Sequence, residues 1–255
     1  MFTLRRGSCV LLGAMVLAGA AAAPARTSHP LPWNGAQQMV VVVIDAWDAN
    51  RGTLHTFNRV ASGWKDQGTT TPVTIGRTGA AWGMGISPPQ QTGPQKIEGD
   101  GRSPAGVFRI GTAFGYAEDY PTALPWRGLT ASDYCVDVSG SPYYNQLVDT
   151  KNVGAKAVEG STEAMRRDLH FHGDQAYRVG FVIEHNAKGA TGKGSCIFAH
   201  VWKSPTSPTA GCTAMPDTMM EHLLAWLDPK KKPVFVLLPK DEYARLRSTW
   251  QLPAL

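Results

Sequence analysis

Long apolar runs, dense basic tracts, internal repeats and sustained helical periodicity are all scarce in this 255-residue chain. The longest apolar stretch, residues 10–23, falls short of the ~20 residues that a membrane-spanning helix needs. Residues 40–44 and 234–238 are apolar too, but they are strand-length runs ended by polar residues or Pro. Lys and Arg never cluster densely enough to track a nucleic-acid backbone, so nucleic acid is not an expected partner. Lys230, Lys231 and Lys232 read as a solvated turn before a strand. No His-Glu-x-x-His helix is present, which weighs against the commonest zinc-peptidase signature. Cysteine is rare as well: Cys9, Cys135, Cys196 and Cys212 are the four in the chain.

What is present begins with an export signal. Arg5 and Arg6 precede the apolar stretch, and small residues crowd its end up to Ala25. This is the layout of a secretory signal peptide, expected over residues 1–25. Residues 26–38 then read as a tether, and residues 39–255 as a single domain without a membrane span. The expected location is periplasmic or otherwise extracytoplasmic, and the expected state is a monomer. Losing Arg5 and Arg6 lowers the formal charge from +5 to +3, because no acid precedes residue 26. A modest positive excess suits an acidic polymer.

Gly and Pro, 27 and 18 in number, are scattered through the chain. They bound many short β-branched or aromatic runs. The pattern predicts a mostly β fold with a few short helices. Strands are expected over 39–45, 52–59, 72–76, 106–114, 177–184, 195–201 and 233–238. Helices are expected over 216–227, with Met219, Leu223, Leu224 and Leu227 on one face, and over 240–250. Residues 150–167 carry the weakest pattern and read as a loop with a short helix.

The mature chain keeps three cysteines, an odd number in an oxidising compartment. The economical account is one disulfide and one reactive thiol. Spacing alone does not say which two pair. Cys212 lies in a Gly-Cys turn, with a helix predicted from about Pro216. His200 ends a predicted strand upstream. An imidazole beside a thiol takes its proton, a helix N-terminus favours the thiolate, and Gly211 allows a carbonyl to approach the backbone.

The segment His200…Thr209-Ala-Gly-Cys-Thr-Ala-Met215 resembles the catalytic motif of the YkuD-type L,D-transpeptidases. Lys96-Ile-Glu-Gly-Asp-Gly-Arg-Ser-Pro-Ala-Gly-Val-Phe108 resembles that family's upstream signature. The resemblance covers roughly residues 39–240 and implies a β-sandwich-like catalytic domain. It further implies that Cys212 attacks a peptidoglycan stem peptide, expels D-Ala and forms a thioester that a second stem resolves. His200 would be the base. Backbone N–H groups of Gly211, Cys212 and Thr213 would form the oxyanion hole. No cofactor or metal is implied. With Cys212 as nucleophile, Cys135 and Cys196 become the disulfide pair. The Tyr144-Asn145 pair is similar to an element of one branch of the family, and Trp82 and Trp202 are further candidate substrate contacts. Lys96, Glu98, Asp100 and Arg102 read as a solvated turn with local ion pairs.

The departures are specific. Ala210 and Ala214 stand where many family members carry His and Arg or Asn, and the His-to-Cys interval is short. Alternatives are therefore a hydrolase using the same Cys–His pair, a non-catalytic wall-binding protein, and a zinc peptidase using His170, His172, Glu184 and His185.

Overall fold

The computed structural model describes residues 1–3, 30–168, 173 and 175–255. The expected signal peptide lies almost wholly outside the described residues. Leu31–Leu255 forms one compact unit.

Among the described residues, thirteen strands follow one another: β1 Gln38–Ile44, β2 Arg51–Val60, β3 Gly63–Thr74, β4 Ala80–Trp82, β5 Ser103–Gly115, β6 Trp126–Gly128, β7 Asp133–Cys135, β8 Leu147–Asp149, β9 Glu163–Ala164, β10 Val179–Ile183, β11 Phe198–Val201, β12 Thr213–Met215 and β13 Val234–Pro239. Helices are short: α1 Thr150–Val153, α2 Asp217–Trp226 and α3 Lys240–Leu246. The protein is thus mostly β, with few helical residues.

Ten strands make one sheet in the order β10-β11-β12-β3-β2-β1-β13-β5-β4, with β6 on β5. A further pairing of β10 with β5 closes the sheet on itself like a barrel. The joints range from the long β2–β3 ladder down to that of β12 with β3, which meet at one residue pair, Ala214 with Thr74. At the centre, β1 lies between antiparallel β2 and parallel β13. Val40, Val41 and Val42 are fully buried there. Burial on both faces explains why β1 and β13 read as continuous apolar runs instead of alternating ones. Helix α2 packs Met219, Met220, Leu223 and Leu224 into the same core.

Two expectations change. The stretch read as a tether is packed from Trp33 onward. Trp33 is buried, meets Trp250 edge-on and donates its indole N–H to the Trp250 carbonyl. The block from Lys96 to Arg102 is no solvated turn. Lys96 is buried and bonds Asp100, which also accepts the N–H groups of Ile97 and Arg102. The Arg102 guanidinium donates to the carbonyls of Trp47 and Ala80. These bonds satisfy the turn's buried polar groups internally.

A second sheet, β8-β7-β9, stands beside the barrel. Arg127 pairs with Asp133 at its base, and a disulfide joins Cys135 in β7 to Cys196 just before β11. The bridge closes a loop with a sequence separation of 61 residues. Such a loop is worth about 4 kcal/mol of chain entropy. The double variant Cys135→Ala/Cys196→Ala is therefore expected to lose stability on that scale in urea denaturation; a loss below about 1 kcal/mol would contradict the chain-entropy account.

His185 supplies a pH dependence. Its Nδ1 accepts the Met84 N–H, and its Nε2 donates to the Lys193 carbonyl. Burial pulls its pKa down to about 4 from 6.5, with the Lys193 carbonyl and Asp100 opposing and Lys96 assisting. The unfolded chain therefore takes up this proton first. The contribution is complete above about pH 6.5 and is lost as pH falls toward 4, by roughly 3 kcal/mol. A urea midpoint that falls between pH 7 and 4.5 in the parent, and falls less in His185→Gln, is the expected result.

Candidate active site

Strand β11 runs parallel to β12, with Ala199, His200 and Val201 opposite Thr213, Ala214 and Met215. Side chains alternate along a strand. The register therefore puts His200 and Ala214 on one face, and Cys212, one residue before β12, falls on that face too. His200 and Cys212 line the same cavity, of about 230 Å³. A second cavity of about 240 Å³ shares Cys212, Ala210 and Glu163 with the first. The thiol thus stands at the junction of a two-lobed cleft.

The thiol is buried. Its Sγ accepts the Phe198 N–H at 3.4 Å and donates to the Cys196 carbonyl at 3.5 Å. Burial, followed by the nearby Glu163 carboxylate, raises its pKa far above the usual thiol range; the Phe198 N–H and Lys96 offset this only in part. The resting group is therefore a thiol, not a thiolate. The expected help from a helix N-terminus is absent, because β12 separates Cys212 from the first residue of α2, Asp217.

His200 Nδ1 lies 2.8 Å from the Val201 carbonyl. Only an N–H donates to a carbonyl, so Nδ1 carries a proton and Nε2 is the basic nitrogen of the neutral ring. The Tyr177 ring meets the imidazole edge-on at 5.4 Å, and the Tyr177 hydroxyl donates to Glu163. Glu163 comes from β9, so the small sheet supplies one wall of the cleft.

The Gly-Cys turn is held from below. Ser103, fully buried, donates to the Gly211 carbonyl at 2.7 Å and accepts the Gly76 N–H at 2.9 Å. Thr209 Oγ1 donates to the Cys212 carbonyl at 2.6 Å and accepts the Gly211 N–H at 3.1 Å. That last bond corrects the expected oxyanion hole, since the Gly211 N–H is already engaged. Thr213 sits in the β12 ladder opposite Ala199. Glycine at 211 answers a packing need and not a left-handed backbone, because a Cβ there would lie 3.1 Å from the Arg102 carbonyl oxygen.

Other candidates fall elsewhere. Trp82, a candidate substrate contact, lines neither lobe; it is buried against Trp47 and Trp250, with its N–H on the Thr92 carbonyl. Tyr144 is buried, donates to Glu98 and accepts the Gly194 N–H. Burial, then Glu98, pushes its hydroxyl up to about 12. Asn145 spends its whole amide on backbone, donating to the His185 and Asn186 carbonyls and accepting the Cys196 N–H. The pair thus shapes the Cys196 segment instead of meeting a peptide. Trp202 is half-buried and lines neither lobe. His185 commits both ring nitrogens to backbone partners, and His170 and His172 lie outside the described residues.

The YkuD family model, an L,D-transpeptidase catalytic domain, matches residues 40–236. The chain belongs to the L,D-transpeptidase family. No curated protein and no solved structure matches it. The family's members are cysteine-dependent transpeptidases, and a peptidoglycan substrate fits the family. No described helix is long and apolar enough to cross a membrane.

Sequence reading missed Ser103, Thr209, Glu163 and Tyr177. For Ser103 the signal existed, because it lies within the upstream motif. Glu163 offered none; it arrives through a two-residue strand.

A buried, protonated thiol has a measurable signature. Iodoacetamide alkylation of Cys212 at fixed reagent concentration is expected to keep accelerating beyond pH 9. A rate plateau near pH 8 would instead reveal a resting thiolate–imidazolium pair.

Proposed function

We propose that the protein is an exported peptidoglycan L,D-transpeptidase that works through a thioester on Cys212, with His200 as base. The observation that carries this reading is the two-lobed cleft meeting at the thiol. Such a cleft accommodates an acyl donor and an acceptor on either side of one nucleophile, whereas hydrolysis needs only the first. The Cys135–Cys196 disulfide supports an oxidising compartment outside the cytoplasm.

The steps follow from the protonation states. His200 Nε2 takes the thiol proton as Sγ attacks the stem-peptide carbonyl, so charge separates only when substrate is present. With the Gly211 N–H engaged by Thr209, the Cys212 N–H is the turn's donor to the developing oxyanion. Collapse breaks the C–N bond. The leaving amine takes its proton from the imidazolium, and a thioester remains. An acceptor amine then enters from the lobe that contains His200, gives its proton to Nε2 and attacks the thioester. The new amide forms, and the thiol departs with the proton that His200 returns.

Intact-mass measurement of the mature protein with a carbapenem and with peptidoglycan tetrapeptide fragments tests this. An adduct on the parent, none on Cys212→Ala, and a new cross-linked dimer are expected. His200→Ala is expected to acylate about 10²- to 10⁴-fold more slowly. Release of D-Ala without a dimer would replace the transpeptidase by the hydrolase. A free thiol that takes up neither compound would leave a binding protein.

A further inference from the structure

Tyr177 stands two residues before β10 and lines the lobe that His200 and Cys212 share. Its ring is edge-on to three others: the His200 imidazole at 5.4 Å, Phe198 at 5.9 Å and Phe114 at 5.9 Å. Edge-on packing of this kind favours one ring orientation. The Tyr177 hydroxyl donates to Glu163. Glu163 lies in β9 opposite Cys135 in β7. Cys135 is bonded to Cys196, two residues before β11, and His200 belongs to β11. The contacts therefore close a circuit. It leaves the base through its ring and returns to the base's own strand through a disulfide. The bond from His200 Nδ1 to the Val201 carbonyl joins adjacent residues. That bond fixes the tautomer but does not tie the ring to the opposite wall of the cleft, and the circuit does.

We propose that Glu163 is a positioning residue for the thioester reaction: through the Tyr177 hydroxyl it holds the ring against which His200 stands, and so keeps the imidazole on the face it shares with Cys212. This rests on the transpeptidase reading and deepens it by naming what aims the base. In this role Glu163 takes no proton and makes no bond to the substrate. What it supplies is a hydrogen-bond acceptor, and its charge has a separate effect. The carboxylate opposes the Cys212 thiolate, so losing the charge brings the thiol pKa down, whereas losing the acceptor releases the Tyr177 ring. A reacting group misplaced by about 1 Å costs up to roughly 10²-fold in rate. Three substitutions separate the two effects. Glu163→Gln keeps an acceptor and loses the charge. Glu163→Ala loses both. Tyr177→Phe keeps the ring and the charge and loses only the bond.

The test follows acylation of Cys212 in the mature protein by a carbapenem and by a peptidoglycan tetrapeptide fragment, read by intact mass. The rate constant at saturation is separated from the half-saturating concentration, and iodoacetamide alkylation is followed across pH beside it. Tyr177→Phe and Glu163→Ala are each expected to slow acylation at saturation by about ten-fold, with the half-saturating concentration little changed. Glu163→Gln is expected to stay within about three-fold of the parent, because its amide oxygen still accepts the hydroxyl. The double variant Tyr177→Phe/Glu163→Ala is expected to be no slower than the slower single, since both break one bond. Alkylation divides the variants differently. Both Glu163 variants are expected to accelerate at lower pH than the parent, since both lose the charge, so slow acylation in Glu163→Ala is not the mark of a lost or misfolded thiol. Parental acylation in Tyr177→Phe, a Glu163→Gln that falls as far as Glu163→Ala, or single effects that multiply in the double variant would each overturn the positioning role and leave the thioester chemistry standing. A parent thiol that is alkylated but acylated by neither compound would instead overturn the transpeptidase reading.

Discussion

The parallel pairing of β11 with β12 is the constraint on which the site depends. It sets His200 and the Cys212 thiol on one face of neighbouring strands. Everything else at the site adjusts the electrostatics of that pairing. The Val201 carbonyl fixes the imidazole tautomer, the Phe198 N–H meets the sulfur, and burial keeps the proton on the thiol until a substrate arrives. A site of this kind is quiet at rest. On the proposed mechanism the thiolate forms only as a substrate is attacked, and a buried, protonated thiol is little open to side reactions.

Around the pairing, two supports come from distant parts of the chain. Ser103 and Thr209 clamp the backbone on either side of Cys212, and they do so with hydroxyls that also satisfy N–H groups of neighbouring loops. The three-stranded sheet brings Glu163 to the cleft, and the disulfide from Cys135 ties that sheet to the segment whose carbonyl accepts the hydrogen bond of the thiol S–H. A covalent link far apart in sequence therefore bears on the position of a single hydrogen bond at sulfur.

Much of this was legible in the residues. The central strands showed because burial on both faces demanded uninterrupted β-branched runs, and α2 showed because its apolar stripe kept helical spacing. Strand β3 was read as 72–76 although it begins at Gly63, because Lys65 to Thr71 face solvent and carry no apolar alternation. Strand β12 was hidden inside the Gly-Cys motif, which is why a helix N-terminus was expected at the thiol. Trp82 was placed among the substrate contacts because an aromatic beside glycines looks the same at a cleft and in a core. Asn145 was misread because a side chain rich in donors gives no hint that backbone carbonyls will claim them. Contacts made across the sheet, such as Tyr177 to Glu163, leave no trace in local spacing.

The joint between β12 and β3 has a mechanical meaning. It is the shortest pairing of the closed sheet, yet on the other side of Cys212 Thr209 bridges Gly76, donates its N–H to the Ile75 carbonyl and accepts the Arg77 N–H. Local opening follows the path with the fewest bonds to lose. The turn that carries Cys212 is bound on both sides and is not such a path.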